Sequence, residues 1–207
     1  MPPKAKFTRA EIVEAALELV KTEGISALTA RSLGAKLGSS ARPVFTVFRS
    51  MEEIQDAMII AAKELYAGYI ARGLAQTPAF KGVGTQYILF AAEEPKLFQL
   101  LFMAEQEDVP SLSGILPLID DSYDLILRSV REGYGLSETV SKKLYRHLWI
   151  YTHGIASLCA TKMCRFTGEE INEMMTEVFK SLLQTYGAEG SSKEADCLDT
   201  VDERGDR

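Results

Sequence analysis

A chain of 207 residues with 46% hydrophobic and 25% charged side chains has the balance of a soluble globular protein, one domain or a small module joined to a larger one. It contains no apolar run near the roughly 18 to 20 residues of a membrane-spanning helix, so no membrane partner is expected. The formal net charge of −6 is unevenly spread: residues 1–50 carry eight Lys or Arg against four Glu, and residues 51–207 carry 15 against 25, a basic head on an acidic body that points the head toward a polyanion.

Cys159, Cys164 and Cys197 are odd in number and follow no framework spacing, which fits a reducing compartment. The two histidines, His147 and His153, lie six apart and turn to different sides of a helix, so no metal site is expected, and no cofactor. The start, "MPPKAKFTRAEI", is basic and has no apolar signal-peptide core; a cytoplasmic location is expected.

Apolar residues recur with a period near 3.6 and no run alternates as a strand does, which predicts an all-α fold. Thr8-Arg9-Ala10-Glu11 is a capping box with Phe7 and Ile12 as its staple, and the first helix runs to Gly24. A second, short helix opens at Thr29 and closes at Gly38. Ser39 or Ser40 caps a third that runs to about Phe48, with Pro43 in its first turn, where a missing N–H costs little. Ser50-Met51-Glu52-Glu53 boxes a fourth, to about Leu74. Helices over 80–94 and 95–102 follow, split by Pro95, then one from about Pro117 to Glu132 and a long one over 137–163. Thr167-Gly168-Glu169-Glu170 boxes the last, which is expected to stop at Tyr186 before Gly187. The remainder, "AEGSSKEADCLDTVDERGDR", has too few large apolar residues to offset its ordering entropy and reads as a disordered acidic tail.

Two short helices joined by a tight turn, with a third packed across them, make a helix-turn-helix whose second member enters the major groove. Ser39, Ser40 and Ala41 are small enough for close approach to bases, and Arg42 can fork to guanine O6 and N7. Val44 and Phe48 share a face and are expected to turn inward, while Phe45 is either half-buried or set against a sugar.

The run "IVEAALELVKTEGISALTARSLGAKLGSSARPVFTVFRSMEEI" resembles the N-terminal domain of the tetracycline-repressor-like (TetR) transcriptional regulators, without a gap from residue 8 to about 56. The resemblance implies that Thr29 and Arg31 contact phosphate and that Ser40, Ala41 and Arg42 face base edges. Lys36, Ser39, Phe45, Thr46 and Arg49 complete the expected DNA-facing set. Phe45, Val47 and Met51 stand where the family has tyrosine, histidine and lysine, which shifts weight to Lys4, Lys6, Arg9, Lys36, Arg42 and Arg49. A helical interaction adaptor of the same fold that has lost specific DNA binding is the alternative reading.

The resemblance also implies a homodimer, built on the last two helices, that reads a near-palindromic operator and is released from it by a small-molecule effector. Ile171, Met174, Met175, Val178, Phe179, Leu182 and Leu183 form a stripe wide enough for a core face and a partner face. "PKLFQLLF" and "LWIYTHGIASL" resemble parts of the family's effector-binding core. Polar groups on otherwise apolar helices there are the ligand-binding candidates: Gln86, Tyr87, Gln99, Tyr123, Trp149, Tyr151 and His153. His153 also reads as a core histidine bonded to a backbone carbonyl. The acid pairs Glu93-Glu94 and Asp120-Asp121 diverge on a helix and read as solvated faces, so no enzyme is expected. The expected domains are 1–50 for DNA binding, 51–187 for effector binding and dimerisation, and 188–207 for the tail.

Overall fold

Thr8 begins the first helix as its sequence demands: the hydroxyl accepts from the Glu11 backbone N–H, and the Glu11 carboxylate returns to the Thr8 N–H at 2.7 Å. Such a cap stabilises a helix by about 1 kcal/mol. The computed structural model of the chain describes residues 6–105, 108–112, 114–119 and 121–199; at 118–119 and beyond Tyr186 it describes the backbone alone. Among the described residues the fold is all-helical: α1 (Arg9–Glu23), α2 (Ala30–Lys36), α3 (Met51–Leu74), α4 (Ala79–Glu93), α5 (Pro95–Phe102), α6 (Ile115–Ile119), α7 (Tyr123–Tyr134), α8 (Glu138–Ala160) and α9 (Gly168–Asp199).

Four expectations change. The third helix is not an α-helix: only Val44–Thr46 forms a short 3-10 turn between bends. Pro43 cannot donate, and the Thr46 hydroxyl donates to the Pro43 carbonyl at 2.7 Å, so the segment closes on itself instead of propagating. The helix expected from Pro117 to Glu132 is two, α6 and α7, with Ser122 as the N-cap residue of α7. The box at Ser50 is half made; its hydroxyl caps Glu53, but the Glu53 carboxylate accepts from the Arg49 backbone N–H and from Arg9. Lastly, α9 does not stop at Gly187, since a helical glycine costs about 1 kcal/mol without ending the helix. Of the expected tail, 188–199 continues α9 and 200–207 lies outside the described residues, as does Asp120 of the second acid pair.

One core runs through the chain, from Ile12, Leu33 and Phe48 at the head, through Ile54 and Met58 of α3, to Phe90, Phe98, Ile126 and Leu144. The helices α3 and α4 cross where neither has a side chain. A Cβ on Gly73 would stand 2.7 Å from the Val83 N and Cα, and one on Gly82 would collide with the Gly73 carbonyl oxygen. Polar links flank that crossing: the Tyr69 hydroxyl donates to Glu93 at 2.7 Å, and Arg72 Nε donates to Gln86 at 3.3 Å. Burial, and then the bond to Glu93, push the Tyr69 hydroxyl up to about 12. The head rests on α5, and there Lys21 of α1 reaches Glu94 at 2.9 Å, both side chains largely covered. Glu93 and Glu94 are therefore bonded links between helices and not an unattached solvated pair.

Candidate nucleic-acid interface and ligand cavity

Packing sets the shape of the head. Thr29 caps α2 by accepting from the Ser32 N–H at 3.1 Å, so its hydroxyl is already engaged. Gly34 lets α2 touch the following segment backbone to backbone; a Cβ there would lie 2.8 Å from Ala41 N. Gly38, at φ +62°, makes the turn in a left-handed conformation that costs glycine little. Val44 and Phe48 point inward, fully or almost fully buried.

Around that packed side, Thr29, Arg31, Lys36, Ser40, Arg42, Phe45, Thr46 and Arg49 are exposed, and Ser39 and Ala41 are half-buried. Phe45 is 42% exposed, so its ring is presented and not tucked away. Ser39 accepts from Lys6 at 3.0 Å. Arg9 is withdrawn from the basic set, because its guanidinium lies 4.1 Å from the centre of the Phe48 ring and pairs with Glu53 at 2.8 Å. Among the described residues Arg31, Lys36, Arg42 and Arg49 form no salt bridge.

The body encloses a cavity of about 440 Å³ between α3, α4, α7, α8 and α9, within the range of small-molecule sites. Tyr66 of α3, Phe80, Val83 and Tyr87 of α4, Tyr134 of α7, Trp149 of α8 and Phe179 of α9 give it aromatic and aliphatic walls. The family model of the tetracyclin repressor-like C-terminal domain matches residues 80–186, just over half of the chain. The chain belongs to the tetracycline repressor-like family. No curated protein matches it.

The matched span of this tetracycline repressor-like chain begins in α4 and ends at Tyr186, so it takes in the cavity lining except Tyr66 and Pro78 and leaves out the head. Of the sequence candidates, Tyr87 and Trp149 line the cavity. His153 stands directly behind them. Its Nδ1 is 2.9 Å from the Tyr87 hydroxyl, and its ring stacks on Trp149 at 5.1 Å, so its partner is a tyrosine and not the expected backbone carbonyl. Tyr123 backs the wall by stacking on Tyr145 at 5.7 Å. Gln86 is held by Arg72, and Gln99 donates to the Ala160 carbonyl at 2.7 Å, so both serve helix contacts away from the cavity lining. Tyr151 is half-buried and outside the lining.

Tyr66, Lys81, Thr152, Met175 and Lys180 also line the cavity, although the sequence assigns Met175 only a place in the α9 stripe and the other four no ligand role. Met175 and Thr152 were detectable as apolar-face positions. The lysines carried no local signal.

Burial holds the His153 imidazole below its ordinary value of 6.5. An unfolded histidine takes its proton at that ordinary value while the folded one resists it, so the unfolded state binds more protons in the window just below. Stability from this group is therefore complete above 6.5 and falls as the pH drops through it. Thermal unfolding of the wild type is expected to show a larger loss of Tm between about pH 7.5 and about pH 5.5 than His153→Gln shows. Superimposable pH profiles would remove His153 from this role.

Proposed function

We propose that the chain is a homodimeric transcriptional repressor whose head binds a near-palindromic DNA operator and whose cavity takes a small-molecule effector that releases it. The single observation that carries this reading is the course of α3. It leaves the segment holding Arg42 at its Ser50 cap, and sixteen residues later its Tyr66 lines the cavity. A rigid helix joins the two sites, so a shift at the cavity changes the setting of the recognition segment.

Four exposed basic side chains on the head that form no salt bridge among the described residues support contact with a polyanion. Half-burial of Met174, Val178, Leu182 and Leu183 on α9, beside the exposed Ile150 and Leu158 on α8, supports a two-fold interface on these two helices. Residues 1–50 are accordingly assigned to DNA binding and 51–187 to effector binding and dimerisation, in the cytoplasm. The exposed Phe45, apolar where the family has a tyrosine, favours the adaptor reading as the second one.

A gel shift with the DNA upstream of the protein's own gene separates these readings. The repressor reading expects a sequence-preferring complex of two chains. It further expects that compounds which perturb the emission of Trp149, the single tryptophan, dissociate that complex. Coupling is reciprocal, so a compound that weakens DNA binding tenfold itself binds about tenfold more weakly to the complex, roughly 1.4 kcal/mol. Absence of any sequence-preferring shift leaves the adaptor.

A further inference from the structure

The cavity carries charge of one sign. Two lysines line it, Lys81 of α4 and Lys180 of α9, and among the described residues no carboxylate does. This runs against the composition of the body, where 25 acidic residues outnumber 15 basic ones. Both lysines are exposed residues of the lining, and a lysine so placed lays its stem on apolar surface and keeps its ammonium in water. Among the described residues neither forms a salt bridge. The nearby acids of α9, Glu173 and Glu177, border a separate groove that meets the cavity at Thr176 and Lys180.

A neutral ligand in this cavity would bring the two lysines no counter-charge, and a cationic one would be repelled by them. An apolar body ending in one anionic group meets both demands, with its rings against Tyr87, Trp149 and Phe179 and its anion between the two ammonium groups. We propose that the cavity selects an amphipathic organic anion, an aromatic body bearing a single carboxylate or sulfonate, over neutral ligands of the same skeleton. This rests on the effector reading above and adds to it the chemical class of the effector. Because the lysines come from α4 and α9, a bound anion also neutralises like charges on two elements and draws them together.

Two probes share one skeleton and differ in the anion: 8-anilinonaphthalene-1-sulfonate and N-phenyl-1-naphthylamine. Both are titrated into the full chain, with energy transfer from Trp149 as the readout. Lys81→Gln and Lys180→Gln are each expected to weaken the sulfonate roughly two- to fivefold, the range of a solvent-exposed ion pair. The amine is expected to change less than twofold, and Lys142→Gln, outside the cavity, to change neither probe. Parallel changes for both probes, or an unchanged sulfonate, overturn the charge selection and leave the effector site standing. If neither probe takes energy from Trp149, the cavity does not accept aromatic ligands, and the effector reading falls with it.

Discussion

Gly82→Ala is expected to destabilise the protein by about 2 kcal/mol, although alanine is the better helix former. Propensity alone favours the substitution by about 1 kcal/mol. Against this, the new methyl would be driven into the Gly73 carbonyl, and backbone cannot swing aside as a flexible side chain can. Overpacking of that kind costs about 1–3 kcal/mol, sometimes more, so the clash outweighs the propensity. For a chain of this size the loss corresponds to a Tm lower by roughly 4–8 °C. Gly133, within α7, is the matched control: a Cβ there meets nothing within 4 Å among the described residues, and Gly133→Ala is expected to leave Tm unchanged or raise it. If Gly82→Ala also raises Tm, the close crossing of α3 and α4 is wrong. The crossing matters for function because α4 carries Phe80, Val83 and Tyr87 to the cavity while α3 carries the head.

Arg42→Ala is expected to lose about 1–3 kcal/mol per half-site on the preferred operator and to relax preference at one base position. Arg42 is exposed on the turn just before the buried Val44 and forms no salt bridge among the described residues, so the substitution removes a contact without disturbing the core. Thr29→Ala makes the contrast. Its hydroxyl caps α2, so it is expected to weaken binding to all sequences alike and to lower stability by about 1 kcal/mol. Fluorescence anisotropy on preferred and scrambled duplexes distinguishes the two variants. Equal losses on both duplexes for Arg42→Ala would make Arg42 a phosphate contact.

Helix starts were legible because a cap is a local device. Thr8 with Glu11, Thr29 with Ser32, and Thr167 with Glu170 form their bonds within four residues, and the chain spells them out. The segment 39–48 was not legible as a turn. Over ten residues the apolar period does not separate a 3-10 turn from an α-helix, and the backbone contact at Gly34 that confines it comes from another element. The same limit explains the cavity. A glutamine on an apolar helix announces a partner but not which one, and Gln86 and Gln99 found Arg72 and the Ala160 carbonyl. Lys81 and Lys180 are distant in sequence and unremarkable singly; only the folding of α9 against α4 and α8 puts both on one cavity.

The bridge between Lys21 and Glu94 bears on how far this protein is modular. Its two partners lie on opposite sides of the boundary proposed at residue 50, and the Glu94 side chain is only 14% exposed. A chimera cut at that boundary, with a foreign head on this body, would strand a covered carboxylate without its ammonium unless the new head places a cation at the same point. Exchange of heads among such chains therefore has a matching rule beyond the linker: the donor must bring a basic residue near the end of its first helix, or the recipient must give up Glu94.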